Sequence, residues 1–255
     1  MDGNIIEVRD LTVSFGDKVV LKNVNINVKK GDIYAIIGKS GSGKTTLMRS
    51  ILMLQPSRGR IVVNGVDLNS ADEDERNRIK KTYGVMFQAA SLFTSLSVGE
   101  NIAVPLKENT KLPQGVIDDI VRFKLSLVGL DDDVYFLYPY ELSGGMRKKA
   151  ALARALALDP DIIFLDEPTS GLDPASADDF DITIKKLNEI LGITVIMITH
   201  DLDSFFGIAT KACVVRDKTV IAEGEPEKIK GIDDEWLKRI FFGQRGRKFE
   251  QWNQR

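Results

Sequence analysis

The distribution of apolar and polar positions divides the chain into a strand-rich start, a mixed core, a helical middle and a return to the mixed core. Ile5-Ile6-Glu7-Val8-Arg9-Asp10-Leu11-Thr12-Val13 is rich in strand formers. Val24-Asn25-Ile26-Asn27-Val28 alternates apolar with polar residues, the two-residue period of a half-buried strand. After the turn Lys30-Gly31-Asp32 comes Ile33-Tyr34-Ala35-Ile36-Ile37, an unbroken apolar run of the kind a parallel strand shows when both faces are covered. A glycine-rich loop follows, and then Thr45-Thr46-Leu47-Met48-Arg49-Ser50-Ile51-Leu52, helix formers with one apolar face. From about 91 to 160 the pattern is mainly helical, with helices predicted over 116–127 and 143–158 on either side of the turn-like Asp131-Asp132-Asp133. Buried strands return at 162–165 and 193–198. Between them an amphipathic helix is predicted over 175–191, its start marked by Asp173-Pro174, a capping residue followed by proline at the first helical position. No internal repeat or low-complexity segment is visible.

Composition narrows the function classes. A chain of 255 residues can bury a sizeable core, suited to one α/β domain with a smaller inserted subdomain. The 35 basic and 37 acidic residues leave a net charge of −2, without the basic excess of a general nucleic-acid binder. The single cysteine, Cys213, has no partner for an internal disulfide; between Ala212 and Val214-Val215 it reads as a small core side chain in a reducing compartment. Met1-Asp2-Gly3-Asn4 lacks the basic-then-apolar start of a signal peptide. Nor is there an apolar run of the ~18 residues that would span a bilayer. The expectation is a soluble, cytosolic protein that serves any membrane process by docking to another chain.

The chemistry concentrates in four places. Gly38-Lys39-Ser40-Gly41-Ser42-Gly43-Lys44-Thr45 fits G-x-x-x-x-G-K-[ST] in full, between a buried strand and a helix. Such a loop turns successive backbone N–H groups onto phosphate oxygens, and the following helix N-terminus adds positive partial charge. Lys44 is placed to reach the β and γ phosphates, and the Thr45 hydroxyl to hold Mg²⁺. Ile162-Ile163-Phe164-Leu165-Asp166-Glu167 is an apolar strand ending in two carboxylates: Asp166 is the candidate magnesium ligand and Glu167 the candidate polariser of an attacking water. His200, the only histidine, directly follows the strand ending at Thr199, where α/β sheets place ligands, and is the candidate γ-phosphate contact. Finally, Leu142-Ser143-Gly144-Gly145-Met146-Arg147 opens a helix with Ser143 as its cap, a second anion site. One nucleotide cannot easily use both sites in a single chain, so the economical solution is a dimer in which this helix covers the nucleotide held by the partner.

Over nearly its whole length the chain resembles the ATPases of ABC transporters. Gly38 to Thr46 resembles the Walker A loop and helix start, 162–167 the Walker B strand with its catalytic glutamate, and 142–146 the ABC signature, with Ser143, Gly144 and Gly145 facing nucleotide. Gln88 matches the Q-loop, with a catalytic and magnesium-binding role, Ser170-Gly171-Leu172-Asp173 matches the D-loop, and His200 the switch histidine. Phe15 occupies the place of the aromatic that stacks on adenine; an aromatic at a strand end can equally be core. One departure stands out: the signature commonly ends in glutamine, and here ends in Met146. The runs 141–155, 169–177 and 199–204, with the ending Phe241-Phe242-Gly243-Gln244-Arg245-Gly246, are similar to the ATPases of MCE-type, Mla-like lipid transporters.

The resemblance implies an α/β P-loop cassette with a RecA-like core, an N-terminal antiparallel β subdomain and an inserted α-helical subdomain. It is expected as a single ABC ATPase domain over 1–255: 1–90 and 161–230 form the β subdomain and nucleotide core, 91–160 the helical subdomain, and 231–255 a C-terminal helix and tail. It implies ATP and Mg²⁺, a homodimer closed around two ATP·Mg, and phospholipid transport between membranes. The implied partners are an integral-membrane permease, an MCE-domain protein and, as a further candidate, a small soluble regulatory subunit, at the cytoplasmic face of the inner membrane. Residues 89–104, with Leu92 and Phe93, read either as a packed connector or as part of a groove for a permease helix. The basic tail 244–255, with Phe249 and Trp252, reads as a solvated end or as a docking segment. A transporter for another substrate, or a non-transport ATPase such as an iron–sulfur assembly partner, stands as the alternative.

Overall fold

In the computed structural model, which describes residues 3–242, two sheets share one interior. The chain opens with the hairpin β1 (Asn4–Phe15) and β2 (Lys18–Lys29), then enters β3 (Ile33–Gly38) and α1 (Lys44–Ile51). β4 (Arg58–Val63) and the two-residue β5 (Val66–Asp67) return to the hairpin, giving an antiparallel sheet in the order β2-β1-β4-β5. α2 (Glu73–Lys81) leads to β6 (Tyr83–Met86), after which α3 (Val98–Asn109), α4 (Gln114–Leu127) and α5 (Gly144–Ala155) follow without an intervening strand. The alternation resumes with β7 (Ile162–Asp166), α6 (Pro174–Leu191), β8 (Thr194–Ile198), α7 (Leu202–Ile208) and β9 (Lys211–Arg216). β10 (Thr219–Gly224), α8 (Pro226–Lys230) and α9 (Glu235–Phe242) complete the described chain. The larger sheet runs β10-β9-β3-β8-β7-β6, parallel except for β10 at its edge.

The unbroken apolar strands follow from this sheet being covered twice. Along β3, Ile33, Ala35 and Ile37 join the core beneath the helices, while Tyr34 and Ile36 face the core shared with the antiparallel sheet and α1. β7 splits the same way, Ile163 and Leu165 to one side, Ile162 and Phe164 to the other. With both faces apolar the two-residue alternation disappears from the sequence.

A polar seam ties the two sheets at one edge. Glu223 Oε1 of β10 accepts from the Tyr34 hydroxyl and from the Asn27 backbone N–H of β2, both at 2.9 Å, and Lys211 Nζ donates to the Asn27 carbonyl at 2.7 Å. Beside it Cys213 is fully buried, and burial pushes its thiol up to about 12.

Several elements differ from the sequence reading. β1 and β2 are longer than 5–13 and 24–28, α2 carries no apolar stripe strong enough to announce it, and the β9–β10 hairpin forms around the short apolar run Ala212-Cys213-Val214-Val215. The connector 89–104 is half helix: Ser97 caps α3 in a reciprocal box with Glu100, and the helix continues through Pro105. Asp131-Asp132-Asp133 enters a short 3₁₀ turn over Asp132–Phe136. The basic tail 244–255 and most of the run 241–246 lie outside the described residues.

Candidate nucleotide site

The loop between β3 and α1 can only be built from glycine at two points. Gly38 has φ +154°, and a Cβ there would lie 2.2 Å from the Val215 carbonyl of the neighbouring strand. Gly43 has φ +109°, and its Cβ would strike Leu21 of β2 at 2.6 Å. The chain thus turns within a side chain's width of two strands and delivers the bare N-terminus of α1, capped by no side chain, to the mouth of the loop. Lys44 is buried at the first position of α1, and its ammonium donates to the carbonyls of Gly38 and Lys39 at 2.9 and 3.1 Å. Burial lowers its pKa, and the carboxylates of Glu167 and Asp166 oppose that fall. Lys39, Ser40 and Gly41 are exposed, Thr45 and Thr46 half-buried. The Ser42 hydroxyl is buried without a partner, a polar group facing the loop's interior that an anion would satisfy.

The acidic end of β7 meets this loop. Asp166 is 8% exposed, and its pKa is raised by burial and by the charge of Glu167, against the pull of Arg49, Lys44 and His200. Glu167 adopts a left-handed backbone, φ +50°, held by its own N–H to the Ile198 carbonyl at 2.9 Å. That bend swings its carboxylate off the strand axis and between two of the residues selected from sequence. Gln88 Nε2 donates to Oε2 at 2.8 Å, and His200 Nε2 lies 2.7 Å from Oε1. His200 also joins Gly38, Lys39 and Ser40 around a cavity of about 470 Å³ that extends beneath Trp236 and Ile240. Gln88, Asp166, Glu167, His200 and Lys44, drawn from four separate segments, therefore converge at the carboxyl ends of β3, β7 and β8 and at the exit of β6.

Other candidates lie apart from this cluster. Phe15 is half-exposed at the tip of the hairpin whose Leu21 packs on Gly43. Ser143 is exposed and caps α5 by accepting from Met146 N–H at 3.2 Å. Gly144 and Gly145 face Leu172 and Ser176 at the start of α6. Among the described residues no hydrogen bond or ion pair joins Ser143, Gly144 or Gly145 to the phosphate loop. Met146, where glutamine is the commoner residue, packs its thioether against the main core.

Two site-proximal residues escaped the sequence reading. Lys148 is 6% exposed and donates to the carbonyls of Gln88 and Glu167, at 2.6 and 3.3 Å. Arg154 donates to the carbonyls of Ala90 and Ser91. A signal existed: Lys148 stands three, four and seven residues before the buried Ala151, Leu152 and Ala155, on the helix's core face, where a lysine needs a partner.

The donor set suits a magnesium nucleotide. Asp166, Thr45 and Gln88 offer carboxylate, hydroxyl and amide oxygen, the hard ligands that Mg²⁺ takes together with waters and substrate phosphates. Among the described residues there is no cluster of three or more acidic, histidine or cysteine side chains that could hold a metal ion.

Comparison with known proteins agrees with the geometry. Residues 21–170 match the family model described as ABC transporter. The chain is 46% identical over 230 residues to the intermembrane phospholipid transport system ATP-binding protein MlaF of Haemophilus influenzae, covering 90% of this chain and 87% of that protein. The Escherichia coli K12 protein of the same description is 36% identical, with 94% and 89% covered. An ATP-binding cassette solved as a dimer in a post-hydrolysis state with ADP and Pi superposes with a TM-score of 0.78 at 30% identity, covering 87% of this chain and 98% of that one. Phosphate loop, paired carboxylates, signature helix and matched sequence all lead to one assignment: the chain belongs to the ABC transporter family, as one of its ATP-binding, ATP-hydrolysing subunits.

Proposed function

We propose that this chain drives phospholipid transport between membranes through a partner permease, hydrolysing ATP as a homodimer. The hydrolytic part is carried by one observation: a carboxylate, Glu167, fixed between an amide donor and an imidazole beside a phosphate loop. The lipid part rests on the relatives' descriptions, since no group in this chain need touch the cargo.

In this reading the phosphate loop 38–46 and Lys44 bind the triphosphate, and Phe15 covers the base. Lys44 exchanges its present bonds to the Gly38 and Lys39 carbonyls for phosphate oxygens. Asp166, Thr45 and Gln88 hold Mg²⁺, which when bound neutralises developing charge on the phosphates. Glu167 orients and polarises water, and His200, sharing its carboxylate, fixes that orientation and faces the γ-phosphate position. Ser143, Gly144 and Gly145 of one copy cover the nucleotide of the other. In this reading 1–90 and 161–230 serve as the β subdomain and nucleotide core, 91–160 as the helical subdomain, and 231–255 as the C-terminal helix and tail. Partners are a permease, an MCE-domain protein and a small regulatory subunit, with the chain peripheral on the cytoplasmic face of the inner membrane. No helix among the described residues is long and apolar enough to cross a membrane itself.

Purification of the tagged chain from detergent-solubilised membranes, with mass spectrometry of proteins and lipids, tests this. A multispanning permease, an MCE-domain protein and phospholipid are expected to copurify. A complex without a permease would retain the ATPase and remove the transport role.

A further inference from the structure

We infer that Lys148 is a positioning residue for hydrolysis, holding the catalytic carboxylate and the Gln88 segment on the helix that begins at Ser143. The inference rests on the hydrolytic role proposed for Glu167. Lys148 lies on α5, five residues after the Ser143 cap, and its ammonium is buried where water cannot satisfy it. A buried lysine of this kind needs hydrogen-bond acceptors. It takes main-chain carbonyls: Gln88 O at 2.6 Å and Glu167 O at 3.3 Å. Burial draws its pKa down, and the nearby charges of Glu167 and Asp166 favour its charged form.

The choice of acceptors is informative. Because Lys148 binds the carbonyl of Glu167, the carboxylate stays free for Gln88 and His200. The same carbonyl also accepts from Ser170 N–H at 3.2 Å, and the Glu167 N–H is tied to Ile198. Three anchors thus secure a residue in the left-handed region, where a non-glycine residue is unfavourable unless held. Arg154, further along α5, secures the other end of the Gln88 segment. Its guanidinium donates to the carbonyls of Ala90 and Ser91, which are themselves both left-handed, at φ +60° and +51°. One helix therefore carries the exposed serine cap at its start, the backbone of the catalytic glutamate and both ends of the loop bearing Gln88. A change in how α5 seats is passed to Gln88 and Glu167 through Lys148.

The experiment uses the full chain in four forms: wild type, Lys148→Met, Lys148→Arg and Glu167→Gln. Methionine keeps the apolar stem and removes the donors; arginine restores donors and charge. Steady-state ATPase, thermal unfolding and amide hydrogen exchange over 87–91 are measured for each. For Lys148→Met, kcat is expected to fall by about 10- to 100-fold, as for a misplaced catalytic group, with KM within about twofold of wild type. Exchange at 87–91 speeds up, and Lys148→Arg recovers part of the rate. An unchanged kcat, or a loss without faster exchange at 87–91, overturns the inference while leaving Glu167 in place. Full turnover by Glu167→Gln overturns the hydrolytic reading and this inference with it. If Lys148→Met fails to fold, Lys148→Leu, which also lacks the donors, gives the same comparison, and the same two results decide.

Discussion

At the scale of single residues, the acids of this protein divide by what surrounds them. Asp166 and Glu167 sit among cations and donors, whereas Asp181, on the inner face of α6, does not. Asp181 is 8% exposed, its Oδ1 has no hydrogen-bond partner, and the charged groups acting on it are the carboxylates Asp178, Asp201 and Asp203. Burial pushes its pKa up to about 6, with only the Ser204 hydroxyl pulling the other way. A carboxyl whose folded pKa is raised binds its proton more tightly in the folded than in the unfolded state. Its favourable contribution is full below the unfolded value and is lost as pH rises through about 6. Replacing Asp181 by Asn, which cannot ionise, should therefore stabilise the protein at pH 8 by roughly 1–3 kcal/mol. The gain should shrink as pH falls from 6 toward 4. Thermal unfolding of both forms across that range checks it; a gain that grows on acidification would contradict the sign.

At the scale of elements, tight approaches matter more than propensity. Gly84 of β6 lies so close to the end of α5 that a Cβ would come within 2.3 Å of the Ala155 carbonyl. That carbonyl is backbone and cannot swing aside, so Gly84→Ala must push strand and helix apart. Overpacking of this kind costs about 1–3 kcal/mol. Urea unfolding should show a lower midpoint at unchanged slope, whereas an unaltered midpoint would mean that the two elements slide freely. The same pairing shows why some elements were legible in sequence and others not. β3, β7 and β8 announce themselves as apolar runs because a helix layer and a second sheet cover them, and α6 because Asp173 caps it and Pro174 follows. α2 is almost wholly charged, and its single buried side chain, Ile79, makes no stripe. The β9–β10 turn uses Asp217 and Lys218 in left-handed conformations without the glycine that usually marks a hairpin. At the site, loop and carboxylates were legible because their chemistry demands contiguous residues. Lys148 and Arg154 were not, because their acceptors are carbonyls distant in sequence, 19 and 60 residues from Lys148 and 63 and 64 from Arg154, and a carbonyl has no letter in the sequence.

At the scale of the whole molecule, the described chain leaves Ser143 exposed and its glycines half-buried, with no hydrogen bond or ion pair to the phosphate loop among the described residues, and the proposed sandwich would set them over the nucleotide of a second copy. Glu167→Gln with ATP and Mg²⁺ should accordingly double in mass by light scattering, and adding Ser143→Arg should return it to a single chain. A nucleotide-bound Glu167→Gln protein that stays at the mass of one chain would refute the sandwich. Cys213 makes such an arrangement open to spectroscopy. It is the chain's only sulfhydryl, its environment excludes solvent, and at neutral pH the nucleophilic anion is scarcely populated. The folded protein is in effect a blank background for maleimide labels. A cysteine introduced at an exposed position outside the phosphate loop, such as Ser126, would alone take up a spin probe, and the distance between probes would follow two copies through a turnover cycle without the native cysteine having to be removed.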